Sequence, residues 1–396
     1  MATTATASVR RRAALAKRVE KIVATTPVFD IHTHLYDPAF RDLLLWGIDD
    51  LLTYHYLVAE AFRYFDIPFE KFWSLSKTQQ ADLIWNALFL RHSPISESCR
   101  GVLTTLNLLG LDVKKRDLAA LRRWFAKQNL EKHVTRCLEL AGVAKICMTN
   151  SPFDDVERPL WQKGFRRDEH FVGALRIDPL LLDWPGAAPR LAQWGYNVGA
   201  GLSDPVVGEV RRFLADWSKR IGAKYLMVSL PPDFKFPEQN NCAQLVEKAV
   251  LPHCREFGLP LALMLGVKRA VNPQLRLAGD GVGRSDLQAL QNLCAGFQEN
   301  KFLATVLSRE NQHELCEEMT RMRLELLGLS VTLQHSDARV LDQLVYKWTH
   351  FREVISTALT DKYGNLSRAG WEPTTAEVER DVKDLLGGAF ERFCRE

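Results

Sequence analysis

The stretch Pro27-Val28-Phe29-Asp30-Ile31-His32-Thr33-His34 decides how the chain is read. It is an apolar run that ends in two histidines one residue apart. In an extended strand successive side chains alternate faces, so Asp30, His32 and His34 share one face while Phe29, Ile31 and Thr33 occupy the other. Two imidazoles one pleat apart can both reach a single ion such as zinc. The competing reading, two unrelated surface or core histidines, needs no ion at all.

The chain has 396 residues, enough for one large α/β barrel or two ordinary domains. With 46% hydrophobic and 25% charged residues, and with 10 Trp and 20 Phe, it has the composition of a soluble globular protein with a well-filled interior, which excludes a disordered body. No apolar run approaches the roughly 20 residues that span a bilayer. The formal net charge of +4 is small, and much of it lies in Arg10-Arg11-Arg12 and Lys17-Arg18, so nucleic-acid binding has little support. Eight cysteines are scattered without a Cys-x-x-Cys pair, which fits reduced thiols and a cytoplasmic setting better than a disulfide framework. The first residues are rich in Ala, Thr and Arg and free of acids until Glu20, as organelle transit peptides also are. No apolar core follows the basic cluster, so a frayed start leading into a helix from about Ala13 to Ala24 is expected.

Beyond the histidine pair, residues 36 to 140 read as a long helical insertion, with stripes at helical spacing in Leu51 to Phe65, Ile84 to Leu90 and Leu118 to Phe125, and breaks at Pro38, Pro68 and Pro94. A regular alternation follows. Val143 to Met148, Phe171 to Ile177, Lys224 to Leu230, Leu259 to Leu265, Phe302 to Leu307 and Leu329 to Gln334 are short apolar runs of the kind that form buried parallel strands. Helical patterns lie between them at Val207 to Lys219, Ala243 to Glu256, Asp286 to Glu299 and Gln312 to Leu327, and the chain closes with helices over Asp342 to Leu359 and Thr375 to Arg395. Repeated strand and helix units predict an α/β fold, a (β/α) barrel forming a single domain over residues 1–396. Within it, residues 1–26 form an N-terminal arm and helix, 36–140 the insertion, 141–340 the main repeats and 341–396 the C-terminal helices. Only seven strands can be counted, so one is either too short to recognise or absent.

A mononuclear site needs a further ligand, and the end of the last barrel strand lies next to the first in a closed barrel. Gln334-His335-Ser336-Asp337-Ala338-Arg339 stands there. Asp337 is the candidate third ligand, its alternative role being a helix N-cap.

These motifs, taken in order, resemble the amidohydrolase superfamily and, within it, the uronate (glucuronate) isomerases. The resemblance rests on the opening His-x-His strand, the helical insertion and Ser336-Asp337-Ala338-Arg339. It extends to His55-Tyr56, to Thr149 with Pro152, to Leu175-Arg176-Ile177-Asp178 and to Gly266-Val267-Lys268-Arg269. It implies a divalent metal, zinc by expectation, held by His32, His34 and Asp337, and a sugar acid faced by Tyr56, Arg176, Arg269 and Arg339. It implies in turn an intramolecular oxidoreductase that interconverts aldose and ketose forms of a hexuronate such as glucuronate or galacturonate.

The residue types suit that chemistry. Arginine binds a carboxylate through a planar fork. Moving a proton between adjacent carbons through an enediol needs a base, for which Tyr56 and Asp337 are candidates, and stabilisation of the developing oxyanion. Three positions depart from the family pattern: Met264 stands where the fifth strand usually carries histidine, Glu97 stands where the insertion carries another, and the seventh β/α unit is missing or short. Two other readings therefore stand beside the isomerase: a diverged metal-binding relative acting as a binding protein, and a metal-dependent hydrolase or decarboxylase. An open sheet edge would favour a homo-oligomer.

Overall fold

The computed structural model describes residues 2–65, 67–265 and 313–394. Nine helices and five strands are used below: α1 (Ala2–Thr25), β1 (Val28–Thr33), α2 (His55–Ala61), α3 (Glu97–Leu108), α4 (Leu130–Ala141), β2 (Val143–Asn150), α5 (Glu157–Lys163), β3 (Phe171–Arg176), α6 (Asp204–Ile221), β4 (Ala223–Leu230), β5 (Leu261–Leu265), α7 (His313–Leu327), α8 (Gln343–Arg368) and α9 (Thr375–Lys383). The strands form one sheet in the order β1-β2-β3-β4-β5, and each neighbouring pair from β2 to β5 is parallel. The class is therefore α/β with a parallel sheet and many helices, as the alternation of patterns predicts.

The chain divides into two compact units. One comprises Met1–His34, Leu44–Lys145 and Ala270–Phe390; the other comprises Leu35–Leu43, Ile146–Arg269 and Glu391–Glu396. In the first, the helices of the insertion close over their own core, in which Leu57, Phe72, Ile84, Trp85, Val102 and Leu106 are buried. Local signals place these helices. Ser76 and Gln79 form a reciprocal capping box, Ser96 accepts from the Cys99 N–H, and Asn129 accepts from the Lys132 N–H. Gly142 ends α4 in the left-handed region, and its carbonyl takes the Val28 N–H at 2.9 Å and the Arg352 guanidinium at 3.1 Å. The end of α4 thus fixes the start of β1. Helix α1 packs along α8 through Leu15, Val19, Ile22 and Val23, spaced for one helical face.

In the second unit the strands stand where the apolar runs predict them. The inner positions of β4 from Tyr225 to Leu230 are all buried, as expected for a strand covered on both faces. Helix α6 lays Val210, Phe213, Leu214, Trp217 and Ile221 inward, ends at Gly222 in the left-handed conformation, and passes directly into β4.

Two expectations are corrected. The N-terminal helix starts at Ala2, not near Ala13; residues 2–12 contain neither Pro nor Gly to break it. The helical stripes of Leu51 to Phe65 fall in Ile48–Leu52 and α2. Leu329 to Gln334 is not a strand: α7 ends in a turn over 328–330, leaving Leu329 exposed, and the backbone bonds to β1 and its end from Ser336 to Ala338. Phe302 to Leu307, Asp286 to Glu299, Cys294 and Arg269 lie outside the described residues, as do residues 307–312 at the start of the stretch 307–329 where an eighth strand would fall.

Gly387 tests how tightly β1 is backed. Its φ is +119°, and a Cβ there would stand 2.7 Å from the Phe29 Cβ and 2.8 Å from the Phe29 carbonyl oxygen. Gly387→Ala is expected to cost at least about 2 kcal/mol, from left-handed strain plus a clash with backbone, and to lower the melting temperature by several degrees. Gly110→Ala, at φ +83° with open space around it, should cost about 1 kcal/mol from strain alone. Calorimetry of the two variants checks the difference.

Candidate metal centre

His32 and His34 point from β1 and its end toward one atom of the C-terminal segment. Each Nε2 lies 3.2 Å from Oδ1 of Asp337, and the two rings stand nearly perpendicular, 5.4 Å apart. His335 packs its ring edge against His32 at 5.2 Å. The N-cap alternative for Asp337 fails: α8 begins at Gln343, and its cap position is Asp342.

The local chain explains the aim. The Asp337 N–H donates to the His32 carbonyl at 3.0 Å, and the His34 N–H donates to the Ala338 carbonyl at 2.8 Å. A regular parallel pairing would bring the carbonyl of Asp337 itself to His34. The one-residue slip coincides with φ +49° at Asp337, so the segment carries a bulge that turns this carboxylate away from a pleated course. Left-handed conformations in a residue other than glycine cost on the order of 1 kcal/mol and persist only where the surroundings hold them.

Whether these side chains fit a cation is decided by distance and by satisfaction. Two donors each about 2.1 Å from a tetrahedral ion lie about 3.4 Å apart, close to the separations seen here. Both His32 Nε2 and Asp337 Oδ1 are buried without a hydrogen-bond partner among the described residues, although they face one another. Burial alone would raise the Asp337 carboxyl, but the imidazoles of His34 and His32 hold it well below the usual carboxylate range, in the form that ligates. Two nitrogens and an oxygen suit zinc and similar divalent ions.

A second buried group, His133, Cys137 and Asp342, has the same donor types. Its geometry differs. His133 Nε2 and Asp342 Oδ1 are 2.7 Å apart, a hydrogen bond rather than the spread of two ligands, and Asp342 Oδ2 accepts from the Gly47 N–H at 2.7 Å. This group ties α4 and the start of the insertion to the beginning of α8. The histidine and cysteine, four apart on one helix face, were visible in the sequence; their partner, 209 positions from His133, was not.

The remaining candidates are distributed. Arg339 reaches back to the His34 carbonyl at 3.3 Å, and its N–H is held by Gln343 Oε1 at 2.9 Å. Tyr56 is buried on α2 in a cluster with Leu51, Tyr54 and Val340, the residue after Arg339. Arg176, in the second unit, ends β3 with its fork on Asp178, both bonds 3.0 Å long. Met264 lies on β5 with its sulfur 4.0 Å from the Ser229 hydroxyl. Glu97 is buried in the first unit, paired with Arg100 and His350.

Comparison with solved structures places this arrangement. A uronate isomerase of Bacillus halodurans is 44% identical over 97% of both chains and superposes with a TM-score of 0.87. The chain belongs to the uronate isomerase family. A uronate isomerase of Thermotoga maritima, 14% identical over 96% of this chain and 97% of its own, has a TM-score of 0.67; a glucuronate isomerase of Caulobacter crescentus, 15% identical over 97% and 94%, has 0.64. At that identity these two support the fold. No family model matches the chain, and no curated protein does.

Glu157 is a further ionisable group at a strand end. It follows β2, with Oε1 accepting from Trp161 and Oε2 accepting from the Ser151 N–H and the Tyr36 hydroxyl. Burial pushes its carboxyl up to about 7 from an ordinary value of 4.5. The folded state then holds a proton that the unfolded chain releases above pH 4.5, so this contribution is full at lower pH and is lost as pH rises toward 7. Glu157→Gln, which fixes the neutral form, should cost more stability at pH 5 than at pH 8, by up to about 3 kcal/mol, as urea unfolding at the two pH values would show.

Proposed function

We propose that this protein interconverts the aldose and ketose forms of a hexuronate, with a divalent cation, zinc in first place, bound by His32, His34 and Asp337. The observation that carries the reading is the 44% identity to a uronate isomerase over 97% of the chain, joined to a site whose two imidazoles and carboxylate stand at ligand separations. A cation there supplies Lewis-acid stabilisation of the oxyanion that develops as the enediol forms.

The chain's own groups divide the rest. Arg339, fixed through its backbone by Gln343, presents a guanidinium for the sugar carboxylate. The proton transfer needs a base, for which Asp337, engaged by the two histidines, and Tyr56, which would act as its phenolate, are the two candidates. No described helix is long and apolar enough to cross a membrane. The seven described cysteines are free thiols, which supports a reducing, cytoplasmic setting.

Purified protein supplied with zinc is expected to convert glucuronate or galacturonate to the ketose, followed by a ketose-specific colour reaction; no turnover with either substrate defeats the proposal. His32→Ala should lose bound metal in elemental analysis. Its activity should fall by more than about 100-fold, since outer-shell changes alone cost 10–100-fold.

A further inference from the structure

The left-handed turn at Asp337 is gripped one residue upstream. The Ser336 N–H donates to Oδ1 of Asp30 at 3.0 Å, and the Ser336 carbonyl accepts from the ammonium of Lys347 at 2.7 Å. Both charged groups are buried, Asp30 at 0% and Lys347 at 1% exposure. Lysine is almost never fully buried without a partner that needs its charge. Here the Asp30 carboxyl takes the N–H and the Lys347 amine donates to the C=O of one residue, so the two peptide groups that flank the Ser336 Cα are each held by a buried side chain. The indole of Trp348, the residue after Lys347, donates to Oδ2 of Asp30 at 2.8 Å, so one turn of α8 holds both sides. The Ser336 hydroxyl accepts from the Ala338 N–H at 3.2 Å and closes the turn around Asp337. Lys347 also lies 5.8 Å from the ring of Tyr54, two residues before Tyr56.

We propose that Lys347 and Asp30 are positioning residues of the metal centre: they grip Ser336 on both sides of its Cα, through its N–H and its C=O, and so keep Asp337 in the bulge that sets its carboxylate between His32 and His34. This rests on the metal reading above. Neither residue is one of the three proposed ligands. The distinguishing consequence is that neutralising Lys347 weakens metal affinity in protein that remains folded, whereas a buried lysine that only filled space would change stability alone.

The test measures the zinc dissociation constant of the full chain by competition with a chromogenic chelator, beside the melting temperature of the metal-free protein. Lys347→Met, which keeps length and loses charge, is expected to weaken zinc binding 10–100-fold. Lys347→Arg, which keeps a donor for the carbonyl, is expected to recover part of that loss, and kcat at saturating zinc should fall more than KM rises. An unchanged zinc constant in folded Lys347→Met overturns the proposal even if its melting temperature drops. If that variant does not fold, Asp30→Asn and Trp348→Phe loosen the hold on the other side of the Ser336 Cα and carry the same expected and overturning outcomes. Zinc binding by the unaltered chain separates the two levels: its absence overturns the metal reading and the grip together, while its presence with unchanged variants overturns the grip alone.

Discussion

A carboxylate with its inner oxygen buried between two imidazoles is the constraint on which the rest of this structure turns. Such a group is costly to desolvate, and it is retained where a cation or a set of fixed dipoles answers it. Everything near Asp337 serves that placement. Strand β1 brings the histidines and Asp30, the backbone of Ser336–Ala338 bonds to β1 instead of continuing as a ladder, and α8 supplies the Lys347 amine that holds the Ser336 carbonyl and the indole that holds Asp30.

The helical insertion is part of the same construction. Gly142 at the end of α4 holds the first residue of β1, while His133 on that helix reaches Asp342 at the start of α8. The two sides of the candidate metal site are thus both referred to α4. A displacement of this helix would act on β1 and on the turn leading into α8 together, which is the economy of building a site on rigid elements instead of loops.

Much of this was legible in the sequence, for reasons that can be stated residue by residue. Strands β2 to β4 read as continuous apolar runs because they are parallel strands covered on both faces over most of their length. The His32–His34 pair was legible because strand period fixes which side chains share a face. The last strand was misread because its contact with β1 is made through a side chain, Asp30, and a backbone bulge at Asp337, neither of which has a hydrophobic period. Lys347 was invisible for a different reason. A lysine on a helix reads as solvated, and only the fold shows a peptide carbonyl waiting for it in the interior. The same holds for Asp342, whose partners Gly47 and His133 lie 295 and 209 positions away.

The bond between Asp30 and Ser336 spans 306 positions. During synthesis from the ribosome, the histidine pair emerges at the start and the carboxylate only after most of the chain has followed. Chain entropy must be overcome over that whole span before the three ligands meet, and contacts of such range form late in folding. A cation at the proposed site would therefore be held by all three residues only once these distant segments have met.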